Sequence, residues 1–129
     1  MIMKRTRMKA LDSIIAATAI VAAALAAPAA QAHATLKSAN PAAGATVEAA
    51  PKEIALTFNE KVEQAFSSIT VADGAGKEVA IEKAKVDEAS PAILRLAVPA
   101  LPAGTYTVTW AVAGHDGHRR KGDFKFTVK

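Results

Sequence analysis

Beyond position 50 the apolar residues fall on alternate positions in short runs. Ile54, Leu56 and Phe58 alternate with Ala55 and Thr57 after Pro51, a period of two that turns one side of an extended chain toward a core. Ser68 to Val71 reads as a second strand, closed by the turn Asp73-Gly74-Ala75-Gly76. Val79 and Ile81 begin another. Leu94, Leu96 and Val98 share a face up to Pro99, and Leu101-Pro102-Ala103-Gly104 forms a turn. Tyr106, Val108, Trp110 and Val112 then line a long strand, Gly114 to Gly122 is a loop or strand extension, and Phe124, Phe126 and Val128 alternate in the last strand. Upstream, Ala39-Asn40-Pro41-Ala42-Ala43-Gly44 is a turn between two short extended pieces. No segment after position 33 carries a long 3.6-residue period; residues 82–90 are polar and admit a helical turn without requiring one. About seven short strands at this spacing predict an all-β, antiparallel, Ig-like sandwich or barrel, with Trp110 and the phenylalanines in its core.

The first 32 residues follow a different pattern. Lys4, Arg5, Arg7 and Lys9 precede the run IIAATAIVAAALAA at 14–27, and Ala30-Gln31-Ala32 has a small-x-small form. A basic region, an apolar region and such a site in this order predict a secretory signal peptide over 1–32, leaving a domain of residues 33–129. An uncleaved anchor would need about 20 apolar residues, and this run is shorter and mostly alanine. No membrane insertion is therefore expected after cleavage.

Removing that segment changes the charge. The chain has 16 Lys+Arg against 12 Asp+Glu; without four bases and one acid the balance is 12 against 11. The basic excess belongs to the leader, and no basic patch with interleaved aromatics remains to suggest nucleic acid. There is no cysteine, and all three methionines (Met1, Met3, Met8) lie before position 33. The remaining chain has no sulfur, yet it keeps all three histidines: His33, His115 and His118.

A histidine in first position offers its α-amine and ring Nδ1 to one cation. These groups titrate near 7.7–8.0 and about 6.5, so a metal displaces their protons near neutrality. The second cluster is Gly114-His115-Asp116-Gly117-His118. If the strand continues past Val112, Asp116 and His118 share a face with Cα atoms about 6.6 Å apart, while His115 has the opposite parity. Taken alone, D-x-H reads more simply as a polar hairpin loop. Taken with His33 it completes one amine, two imidazoles and one carboxylate. That donor set, His33, Asp116 and His118, suits tetragonal Cu(II), whereas Cu(I) prefers the sulfur ligands this domain lacks.

The opening HATLKSANPAAGATVEAAPKEIALTFNEKVE and the closing LPAGTYTVTWAVAGHDGHRRKGDFKFTVK together resemble the CopC family of periplasmic copper-binding proteins, YobA-like proteins included. The resemblance spans the region after position 33. It implies a seven-stranded Greek-key sandwich or barrel and Cu(II) ligation by His33, Asp116 and His118. It also implies that Glu60, at the end of L-T-F-N-E, lies near the copper, and that a CopD-like inner-membrane transporter is the partner. Arg119 stands where the family often has proline. His115 stands where small residues are common and reads as solvated or as an auxiliary base. No methionine-rich Cu(I) site is present, which fits a single-site Cu(II) subtype.

These observations predict a non-enzymatic periplasmic Cu(II) carrier or buffer in copper homeostasis or resistance. Four protein donors fill the strong positions that a catalytic metal keeps open. One alternative is a histidine-brace copper monooxygenase, which would need an open axial face and a broad substrate surface; the only Trp and Tyr are patterned as core instead. The other is an Ig-like interaction module without metal.

Overall fold

A computed structural model describes residues 34–129. Among these, eight strands form two four-stranded sheets. In chain order they are β1 (Leu36–Asn40), β2 (Thr46–Val47), β3 (Glu53–Phe58), β4 (Ser68–Ala72), β5 (Lys85–Val86), β6 (Ile93–Ala97), β7 (Gly104–Ala113) and β8 (Arg119–Val128). A single 3-10 turn, Gln64–Phe66, precedes β4. One sheet has the order β1-β3-β6-β5, the other β2-β8-β7-β4. Most connections cross from one sheet to the other; only β5–β6 and β7–β8 stay within one. Eight strands stand against the expected seven, and two of them, β2 and β5, are pairings of only two residues each.

The period-two reading accounts for the core. Ile54, Leu56 and Phe58 of β3 and Leu94 and Leu96 of β6 are buried and face Ile69, Val71, Tyr106, Val108, Trp110, Val112, Phe126 and Val128 across the sandwich. Phe58 and Trp110 join the two sheets edge to face, with ring centroids 5.3 Å apart; Tyr106 stacks on Phe126 at 5.5 Å. The Tyr106 hydroxyl donates to the Pro102 carbonyl at 2.6 Å, so its one polar atom is satisfied at the core margin. Gly122 lets the Trp110 ring lie flat against β8, since a Cβ there would stand 2.6 Å from Cζ2.

One expected strand is absent. Val79 donates its N–H to Val71 and Glu78 makes a single bridge to Ala72, but pairing stops there and Ile81 is 92% exposed. The cause is a long-range capture. The Gln64 side chain donates to the Ala84 carbonyl at 2.9 Å and accepts from the Val86 N–H at 2.6 Å. It draws the chain toward the other sheet, where Lys85–Val86 pairs with β6. The polar stretch 82–90 therefore holds a short strand and not a helical turn.

Candidate metal centre

The β7–β8 hairpin sets the site. Its two ten-residue strands pair from Gly104↔Val128 to Ala113↔Arg119, leaving Gly114 to His118 as the connection. Gly117 has φ +80°, a conformation glycine adopts without penalty. Its N–H donates to the Gly114 carbonyl at 3.0 Å, and the Gly114 N–H donates to the His118 carbonyl at 3.2 Å. Asp116 finishes the turn with its side chain: Oδ1 accepts the His118 backbone N–H at 3.0 Å, and Oδ2 lies 2.8 Å from His118 Nδ1.

The structure thus brings Asp116 and His118 together, but by a different route from strand parity. Regular pairing of β7 ends at Ala113, and the two side chains meet through a tight turn that Asp116 itself caps. The carboxylate is the more sheltered of the two, with 25% of the Asp116 side chain exposed against 63% for His118. His115 is an exposed turn residue.

Glu60 arrives from the other sheet. It follows β3, and its neighbours dock on the hairpin end through a Val62↔Gly114 bridge and a bond from the Glu63 N–H to the Ala113 carbonyl at 2.9 Å. Among the described residues Glu60 Oε1 is buried without a hydrogen-bond partner. It occupies the space a Cβ on Gly114 would take, and Asp116 Oδ1 is 3.5 Å from that same point. Two carboxylates from opposite sheets therefore meet over the bare Cα of Gly114. A buried acceptor without a donor, beside a second carboxylate, is a local environment that favours a cation.

His33 lies outside the described residues. The described chain opens at Ala34, which is fully buried. Thr35 donates its N–H to Asn59 Oδ1 at 2.7 Å and accepts the Asn59 N–H at 3.0 Å. The segment directly after position 33 is thereby tied to the residue next to Glu60. Among the described residues no three His, Cys, Asp or Glu side chains converge to hold a metal ion; they supply the Asp116–His118 pair and the adjacent Glu60. Sequence reasoning missed Gly114, whose lack of a Cβ admits Glu60, because that requirement arises from a contact 54 residues away in the chain.

Residues 36–129 match the model of the CopC domain. The chain belongs to the CopC family. YobA from Escherichia coli strain K12 is 40% identical over 116 residues, covering 88% of this chain and 92% of that protein. Among solved structures, CopC from Methylosinus trichosporium OB3b is 41% identical with a TM-score of 0.71, over 75% of this chain and 94% of that one. PcoC, described as a methionine-rich copper resistance protein from Escherichia coli, is 35% identical with a TM-score of 0.65, over 76% of this chain and all of that one. This CopC domain departs from the latter description, since no methionine follows Met8. The Asp116–His118 turn and Glu60 lie inside the matched CopC region, and position 33 lies three residues ahead of it.

Proposed function

We propose that this protein is a periplasmic Cu(II) carrier or buffer, exported by a signal peptide of residues 1–32 and active as residues 33–129. The observation that carries the reading is the 2.8 Å separation of His118 Nδ1 and Asp116 Oδ2. Two donors bound to one ion at about 2.0 Å and at a right angle stand about 2.8 Å apart. The pair thus has the spacing of adjacent corners of the tetragonal plane that Cu(II) favours. Cleavage after Ala32 would add the amine and imidazole of His33, whose neighbours Ala34 and Thr35 are held on the same side of the fold as Asn59 and Glu60.

The ion is cargo in this reading. With an N3O set and no sulfur after Met8, the cupric state is held and the cuprous state is not, which favours storage and hand-over to an inner-membrane transporter of the CopD type over redox turnover. The deciding experiment has two parts. Mass spectrometry of the exported protein should find His33 first. A Cu(II) competition titration should then give tight one-to-one binding that also raises the melting temperature. Absence of both effects would leave the metal-free interaction module. Oxidised oligosaccharides from copper-loaded protein, reductant and polysaccharide would instead favour the monooxygenase.

A further inference from the structure

The outer face of the second sheet, where it borders the Asp116–His118 turn, carries an arrangement that metal ligation does not use. Strand alternation puts Ala111 and Ala113 on the side opposite the buried Trp110 and Val112. The register places Arg119 beside Ala113, and Lys121 and Ser68 on either side of Ala111. Phe66, three residues after Glu63, whose N–H bonds the Ala113 carbonyl, lies at this end. It is 55% exposed, and the Arg119 guanidinium carbon lies 5.3 Å from its ring centroid. The result is a shelf on which Ala113 is already covered, with an exposed aromatic ring at one side and the Arg119 and Lys121 cations at the other. Arg120, also exposed, pairs with the buried Val112 and alternates to the opposite side of the sheet. The acids nearby are Glu63, ahead of the 3-10 turn, and Asp123, both exposed.

Charged side chains on an open strand edge often serve only to block edge pairing. β8 has such an edge, because β2 pairs with it only at Thr127 and Val128. Edge protection, however, asks for charge alone. It gives no reason to leave a phenylalanine more than half exposed with an arginine laid over it. Aromatic and arginine side chains side by side are the composition of an interface centre, and the two cations on that face, Arg119 and Lys121, select for acidic partners.

We infer that this shelf is the docking face for the protein that exchanges copper with the turn, and that the partner presents a carboxylate-rich segment with an apolar side chain to cover Phe66. The inference rests on the carrier reading and supplies its partner chemistry. Docking there sets the partner's own ligands beside His118, one residue from Arg119, so the ion can pass between donors without release to water.

The test uses the exported protein in its metal-free form, with the peptide Glu-Glu-Leu-Glu-Glu-Leu-Glu-Glu as probe and amide chemical shifts as readout, since paramagnetic Cu(II) would broaden the signals beside His118. Shifts should concentrate at Phe66 and Arg119 to Lys121 and fade at high salt. The double variant Arg119→Glu, Lys121→Glu should weaken peptide binding at least about 10-fold. Phe66→Ala should weaken it while keeping the salt dependence, and both variants should keep wild-type Cu(II) affinity. Shifts elsewhere, or equal binding by the variants, would overturn the inference. So would binding to phosphatidylglycerol vesicles but not to the peptide, which would make the shelf a lipid-facing surface. If wild type failed to take up Cu(II) while the peptide still mapped to the shelf, the carrier reading would fall and the acidic docking face would stand.

Discussion

Asp116 holds His118 at two points: Oδ1 accepts the backbone N–H at 3.0 Å and Oδ2 meets ring Nδ1 at 2.8 Å. The backbone bond fixes the turn, and the ring bond fixes the imidazole's direction. A metal entering here would find both donors already near their final separation, which lowers the ordering cost of binding.

Asp116→Asn keeps the shape and the backbone cap but removes the charge. Cu(II) affinity should fall by at least about 10- to 100-fold, the loss seen even for a carboxylate that only orients a metal-binding histidine. His118→Ala should cost at least as much. Both side chains reach solvent, so the urea midpoint of the metal-free protein should move little. A competition titration that returns wild-type affinity for either variant would remove that residue from the ligand set.

The amine of His33 is the second half of the proposal, and it can be tested without touching the fold. One glycine added ahead of His33 moves the primary amine off the chelating residue while leaving the imidazole. Affinity should drop by at least about 100-fold, well beyond the loss of a supporting contact. Equal titrations for the extended and authentic termini would show that the terminus takes no part.

Much of this was legible in the chain. Alternation alone picked out the faces of β3, β6, β7 and β8, because a strand buried on one side must repeat every two residues. It failed at Ile81, where the deciding force is the Gln64 side chain bonding to Ala84 and Val86, and no local pattern encodes that. Asp116 and His118 of the D-x-H motif do lie together, 2.8 Å apart, but strand parity is not what places them. An aspartate-capped turn with Gly117 at φ +80° does the positioning. Glu60 was visible only through family resemblance, and its seat over Gly114 only through the fold.

That seat makes Gly114 a position of known consequence. A methyl group there would overlap Glu60 Oε1, the end of a flexible side chain, so Gly114→Ala should lower stability toward the low end of the about 1–3 kcal/mol usual for overpacking. Glu60→Ala removes a buried acceptor that lacks a partner, and such an atom costs about 1–3 kcal/mol when left unsatisfied. The single variant should therefore be no less stable than wild type without metal, and the double variant should recover what Gly114→Ala loses. Urea unfolding of the three proteins checks this; additive losses would mean the two residues do not compete for the space.

Leu56 tests the core itself. It is fully buried at the centre of β3 and pairs in register with Leu94. Leu56→Ala should cost about 2–5 kcal/mol, combining lost transfer free energy with the cavity left behind. The fluorescence of Trp110, the chain's one tryptophan, should report the transition at a lower urea midpoint. A loss below about 1 kcal/mol would mean that the sandwich collapses around the gap far more readily than packed interiors do.

A surface network distant in sequence from the metal turn gives the clearest pH test. Arg95 bridges two acids, with Nε donating to Asp87 Oδ2 at 2.9 Å and an Nη1 donor to Glu53 Oε1 at 2.7 Å. The Asp87 carboxyl is held below its ordinary value, first by the Arg95 hydrogen bond and then by the backbone N–H groups of Ala89 and Ser90; Arg95 is raised in turn, chiefly by Asp87. A carboxyl with a depressed folded-state value stabilises the fold above its unfolded value, about 3.9 for aspartate, and loses that contribution as pH falls through the folded value. Asp87→Asn should therefore unfold at lower urea than wild type at pH 7. The gap should narrow below about pH 4 and close once wild-type Asp87 is protonated in both states. The network is solvent-exposed, so the gap should also shrink with added salt. A gap that stayed constant from pH 7 to pH 2 would assign the effect to packing and not to charge.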